Sequence, residues 1–167
     1  MERNEPQIEI RAAEPGDAAS IASVLRDAFA EYEPLYTSEG LAATTPGIDR
    51  IQGRTNEGPT WVALLGGTVV GTVSAVPRGD SLYVRSMAVL PAARGHRIGD
   101  LLLERVESFA RAHGHKRLFL STTPFLDRAI RLYERWGFRR TNEGPQELFG
   151  TPLFTMEKTL EAPEAGS

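Results

Sequence analysis

The sequence predicts an α+β fold: a mixed, mostly antiparallel central β-sheet of about seven strands, flanked by helices on both faces. Three observations carry that expectation. Residues 61–89 read as three consecutive apolar runs joined by turn signals, the pattern of an antiparallel meander. Two segments of helical apolar spacing follow, separated by one short buried run. One strand-like and one helix-like segment precede the meander.

In chain order, residues 8–12 alternate apolar and polar as a first strand does. Pro15-Gly16-Asp17 punctuates the chain, and Asp17 is the expected N-cap of a helix whose apolar stripe is Ile21, Val24, Leu25, Ala28 and Phe29. Residues 31–56 are interrupted by Pro34, Gly40, Pro46 and Gly47, so only 48–54 is expected to be helical. An irregular stretch of that length within a domain points to function. Residues 61–65 run into Gly66-Gly67, which suits the positive φ angles of a tight hairpin, and 69–76 answers them. Residues 82–89 complete the meander and Pro91 stops it. The next helix carries Ile98, Leu101, Leu102, Val106, Phe109 and Ala110 on one face and ends at Gly114. A buried strand is expected at 117–121. Pro124 and Asp127 then open a helix with Ala129, Ile130, Leu132, Tyr133 and Trp136 on its apolar face and Gly137 as its C-cap. Residues 138–141 and 153–160 read as a closing pair of strands. One domain is expected over 7–160, with flexible ends at 1–6 and 161–167.

Composition removes several classes of function. With 167 residues, 41% hydrophobic and 25% charged, the chain is neither disordered, collagen-like nor a coiled coil. It has no cysteine, which excludes disulfides, thiolate metal sites and a cysteine nucleophile. His96, His113 and His115 lack carboxylates at ligand spacing, and neither His-Glu-x-x-His nor Gly-x-Ser-x-Gly occurs, so no metal is expected. A net charge of −3 argues against a nucleic-acid partner. No apolar run is long enough to span a membrane and the first ten residues are too polar for a signal peptide, so the expected setting is cytoplasmic.

Two segments carry chemistry. Arg94-Gly95-His96-Arg97-Ile98-Gly99 is a glycine-bearing turn that feeds a helix N-terminus. Such a turn is either an ordinary cap or an anion site, where free N–H groups, the helix dipole and the arginines converge. The Lys-Ser/Thr pair of a nucleotide P-loop and the dinucleotide Gly-x-Gly-x-x-Gly are both missing, which favours a pyrophosphate from another source. Tyr133, on the last helix, is either core or a proton donor able to serve a thiolate leaving group.

Together, in this order and spacing, these segments resemble the Gcn5-related N-acetyltransferase family over nearly the whole chain. Met87-Ala88-Val89 followed by Pro91 is similar to its central strand, residues 94–99 to its pyrophosphate loop, and residues 129–138 to its Ala-Ile-x-Leu-Tyr helix. The resemblance implies a central strand that splays from its neighbour. It also implies acetyl-CoA as acyl donor and a cofactor site formed by Met87, Ala88 and Val89 with Arg94, Gly95, His96, Arg97, Ile98, Gly99 and Asp100. Tyr133 is implied as general acid to the CoA thiolate, and a small-molecule or peptide amine as acceptor. Arg97 stands where the family has its first loop glycine. If that position takes positive φ, the side chain costs about 1 kcal/mol. Leu126 replaces an early asparagine of the last helix. Arg85 stands where the histone-acetylating branch has a glutamate base. That leaves Glu31 and Glu33, acting through water, as candidate bases and acceptor contacts, with Tyr32 beside them. Arg85 is either a cation that meets an acceptor carboxylate or a strand arginine paired with a neighbouring acid. Pairing through the C-terminal strands, for which residues 148–154 are apolar enough, would make a homodimer. The competing reading is a non-catalytic acyl-CoA sensor or interaction module, which has no need of Tyr133.

Overall fold

A computed structural model describes residues 7–160. The elements are β1 (Ile8–Ala12), α1 (Ala18–Phe29), α2 (Ser38–Thr44), α3 (Ile48–Gly53), β2 (Thr60–Leu65), β3 (Thr68–Arg78), β4 (Ser81–Val89), α4 (Ile98–Ala112), β5 (Arg117–Thr122), α5 (Asp127–Arg135), β6 (Arg139–Thr141), β7 (Glu147–Leu148), β8 (Thr151–Pro152) and β9 (Phe154–Thr159). Seven strands form one sheet in the order β1-β2-β3-β4-β5-β9-β6, and β7-β8 is a separate hairpin. Only β4 and β5 pair in parallel; every other neighbour in the sheet is antiparallel.

The strand period divides the core between the two faces. Along β2, Trp61 and Ala63 join the larger apolar cluster while Val62 and Leu64 join the smaller, because successive side chains point to opposite sides of a sheet. α1 covers the smaller cluster through Ile21, Val24, Leu25 and Ala28. α4 covers the larger through Ile98, Leu102, Leu103, Val106 and Ala110. α5 packs on that same cluster with Ala129, Ile130, Leu132 and Trp136. The helices therefore lie on both faces, as the sequence predicts.

Two local expectations are revised. Asp17 holds the N-cap position of α1, but its side chain makes no capping hydrogen bond to that helix. It is itself helical, at φ −84° and ψ −8°, and closes the preceding 3-10 turn Pro15–Asp17. Its carboxylate accepts the Glu14 N–H at 2.7 Å and takes the Arg11 guanidinium at 2.7 and 3.1 Å. That hydrogen bond from Arg11 holds the Asp17 carboxyl below its ordinary range. Residues 31–56 contain α2 as well as α3. The Thr37 hydroxyl caps α2 by accepting the Gly40 N–H at 3.0 Å. The β7-β8 hairpin, residues 147–152, is tied to the start of α2. The Thr37 N–H donates to Thr151 Oγ1 at 3.0 Å and the Thr37 hydroxyl to the Phe149 carbonyl at 2.8 Å. The expectation of flexible ends at 1–6 and 161–167 lies outside the described residues.

Candidate active site

β4 and β5 are registered only at Ser81–Arg117, Leu82–Leu118 and Tyr83–Phe119. Beyond that point each strand follows its other neighbour: β4 stays with β3 to Val89, and β5 stays with β9 to Thr122. The strands part, and a cavity of about 900 Å³ opens between them. A bulge marks the parting. Ser74 faces Arg85 and Thr72 faces Ala88, so Ser86 and Met87 share one partner, and Ser86 takes a left-handed φ of 54°. The Leu90 N–H returns to the Val70 carbonyl at 2.8 Å. Strand alternation therefore turns the N–H of Val89 to the opposite edge, toward the gap. Met87, Ala88 and Val89 all line the cavity.

At the end of β4 the chain turns into α4. Arg97 is the N-cap, and its φ of 59° and ψ of 28° are left-handed, as is the Gly95 φ of 94°. The conformation that the sequence makes unfavourable for a non-glycine residue is the one Arg97 adopts. The first backbone donation inside α4 is from the Leu101 N–H to the Arg97 carbonyl at 3.1 Å. Among the described residues, the N–H groups of 95–100 have no acceptor. They form a concave set of donors at a helix N-terminus, a geometry that takes an anion. Arg94, Gly95, Arg97, Ile98, Gly99 and Asp100 line the cavity and His96 does not. The His96 ring turns away, with Nδ1 3.0 Å from the Ala93 carbonyl.

α5 closes over this turn. A methyl group at Gly99 would stand 2.8 Å from Leu132 Cδ2, so the small residue in the middle of the Ile98-Gly99-Asp100 turn lets the helix approach. Trp136 Nε1 donates to Asp100 at 2.9 Å and fixes the α5–α4 contact. Tyr133 is thereby held in the cavity wall, 7% exposed. Burial pushes its phenol well above the ordinary tyrosine value. Among the described residues nothing accepts its hydroxyl proton. It is a neutral donor aimed into the space between the strands.

The far end of the cavity is lined by Tyr32, Tyr36, Arg50, Arg54, Tyr83 and Arg85. Tyr36 packs edge-on against Phe125 at 4.9 Å and burial raises its phenol too. Glu31 and Glu33 do not reach the wall. The 3-10 turn Ala30–Leu35 has three residues per turn, so Tyr32 faces inward while its neighbours face away. Glu31 is ion-paired with Arg94 and Glu33 is exposed. Among the described residues the only carboxylates on the wall are Asp100 and Glu147. Arg85 lines the cavity and is ion-paired with Glu57, the neighbouring acid that one of its two sequence readings called for. Wall residues not foreseen from the sequence include Ser86, Arg50, Arg54, Thr122, Thr123 and Glu147. A one-residue bulge leaves no trace in apolar periodicity, and Arg54 lies in the irregular segment. No group of three or more potential metal ligands occurs among the described residues.

The sequence profile of the Acetyltransferase (GNAT) family matches residues 21–138. The chain belongs to that family. Its GNAT relatives include the uncharacterized N-acetyltransferase YjgM of Escherichia coli K12, 36% identical over 73% of this chain and 76% of that protein. Among solved GNAT structures, PaiA N-acetyltransferase of Thermoplasma acidophilum, in complex with coenzyme A, superimposes with a TM-score of 0.79 at 18% identity. The match covers 92% of this chain and 99% of that one. YncA of Salmonella typhimurium, a putative acetyltransferase solved with acetyl-CoA, matches at a TM-score of 0.73 and 26% identity over 95% and 99% of the two chains.

Proposed function

We propose that this GNAT protein transfers an acetyl group directly from acetyl-CoA to a primary amine. The observation that carries the reading is the parting of β4 and β5 with the donor-rich turn of 95–100 at one end and the Tyr133 hydroxyl in the wall. These residues fit the donor. The unpaired N–H groups of 95–100, with Arg94 and Arg97, suit a pyrophosphate, and the free edge of β4 at Met87 and Val89 suits an amide-bearing arm that adds as a strand.

Acetyl-CoA supplies the activated thioester. The N–H of Val89 faces the gap and would polarise the acyl oxygen as charge develops on it. Tyr133 gives its phenolic proton to the departing sulfur as the C–N bond forms and the C–S bond breaks. Burial keeps the phenol protonated, so the proton is available where negative charge develops on the sulfur. The acceptor must arrive neutral, and its proton leaves through water. Since the phenol lies above its ordinary value, near pH 10, it does not titrate away in the working range. The rate with an amine acceptor should therefore rise with pH toward the amine's own pKa, without an alkaline fall set by Tyr133.

Thiol release from acetyl-CoA with a panel of amines tests the reading, together with thermal unfolding in acetyl-CoA. A ligand at 100 times its Kd stabilises by about 2.7 kcal/mol, a shift of a few degrees for a domain of this size. Stabilisation with amine-dependent thiol release supports the proposal. Stabilisation without release from any amine turns the reading into that of an acyl-CoA sensor.

A further inference from the structure

One end of the cavity carries charge for which acetyl transfer alone gives no task. Arg50, Arg54 and Arg85 line it, and among the described residues Glu57 is the one carboxylate ion-paired there, through Arg85. Arg85 precedes Met87 by two residues on β4, whereas the 94–99 turn follows β4. The arginines thus lie at the end of the gap away from the anion-binding turn, where an acceptor enters.

Their hydrogen bonding is incomplete. Arg54 donates from Nη1 to Ser86 Oγ at 3.0 Å and has no ion-pair partner among the described residues. Arg85 Nε is buried without an acceptor. On the facing wall the Thr122 hydroxyl, in a residue 4% exposed, is also buried without a partner, and the Thr123 hydroxyl, in a residue 2% exposed, lies beside it against Tyr36. Unsatisfied buried donors are unfavourable, and these four groups border one space. Burial, then the charges of Arg85 and Arg50, hold the Arg54 guanidinium below its ordinary value. A second anion beside Glu57 would relieve both the repulsion and the missing acceptors, since a carboxylate takes a guanidinium fork and accepts hydroxyl donors as well.

We propose that Arg54 and Arg85, with the Thr122 and Thr123 hydroxyls, hold the carboxylate of the acceptor. The acceptor class is then an amino acid or similar aminocarboxylate, and polyamines are repelled. This rests on the acetyl-transfer reading above.

The test compares kcat/KM for matched pairs that differ only in the carboxylate: L-phenylalanine against 2-phenylethylamine, and L-methionine against 3-(methylthio)propylamine. Hydrogen bonds to a charged group predict a preference of about 10- to 100-fold for the carboxylate-bearing member. Arg54→Gln should reduce that preference to within about threefold of unity, chiefly through KM, and Arg54→Lys should restore part of it. An unchanged acetyl-CoA thermal shift shows that each variant is folded. Equal kcat/KM within the pairs, or a preference that survives Arg54→Gln, overturns the inference while leaving acetyl transfer standing. Turnover of neither series also overturns it. In that case, loss of the acetyl-CoA shift in the unmodified protein removes the acetyl-transfer reading as well.

Discussion

Tyr133 and Arg97 are each a single side chain doing something its residue type does not favour. A tyrosine buried in a helix face normally finds an acceptor for its hydroxyl, yet Tyr133 faces the gap without one among the described residues. Tyr133→Phe keeps the ring and its packing and removes only the proton. General-acid catalysis of this kind contributes about 10²- to 10⁴-fold, so kcat should fall by that order while the acetyl-CoA thermal shift persists. Arg97 holds a left-handed conformation that costs a non-glycine residue about 1 kcal/mol. Arg97→Gly should therefore raise the unfolding midpoint of the free protein and weaken acetyl-CoA binding, because the same substitution removes a cation from the anion site. Asp17 gives a third test. Its carboxyl is held below the ordinary range by Arg11, so its stabilising contribution is complete above the unfolded aspartate value, near pH 4, and is lost as pH falls through the lower folded value. Asp17→Asn should lower the midpoint by several degrees at pH 7, and the two proteins should converge in strong acid.

Among the elements, β4 and the chain that leads into β2 decide the shape of the site. Gly58 is packed so tightly that a Cβ would stand 2.0 Å from the Ala75 carbonyl oxygen of β3. Backbone cannot yield there as a side-chain tip can. Gly58→Ala should cost about 1–3 kcal/mol in chemical denaturation, as overpacking does, and should disturb the adjacent Glu57–Arg85 pair. How much of this was legible in the sequence differs by element. β2, β3 and β4 could be read directly, because period-two alternation and Gly66-Gly67 act over adjacent residues; both glycines have the positive φ expected of them. α2 could not be read, since seven residues make too few turns to show a stripe and Gly40 looks like a breaker. It is packed instead, with a methyl at Gly40 meeting Thr151 Oγ1 at 2.3 Å. The anion turn and Tyr133 were visible as local motifs. The pairings of Arg54 with Ser86 and of Arg94 with Glu31 were not, because they join residues far apart in sequence. The same pairings tie Glu31 to Arg94 and hold Arg54 at the cavity.

Across the whole molecule, the sheet consists of two parts, β1-β2-β3-β4 and β5-β9-β6, registered to each other through three residue pairs. The gap is what remains when both parts keep their own pairing, so the site is a consequence of topology rather than of any one side chain. A ligand that adds to the free edge of β4 and fills the 95–100 turn bridges the parts. The N–H groups it would engage have no acceptor in its absence, and this makes them sensitive reporters. Amide hydrogen exchange with and without coenzyme A is therefore the most direct measurement. Slowed exchange is expected, concentrated at residues 87–89 and 95–100 and little affected by Tyr133→Phe. Unchanged exchange in both segments, or slowing only elsewhere in the sheet, would contradict it.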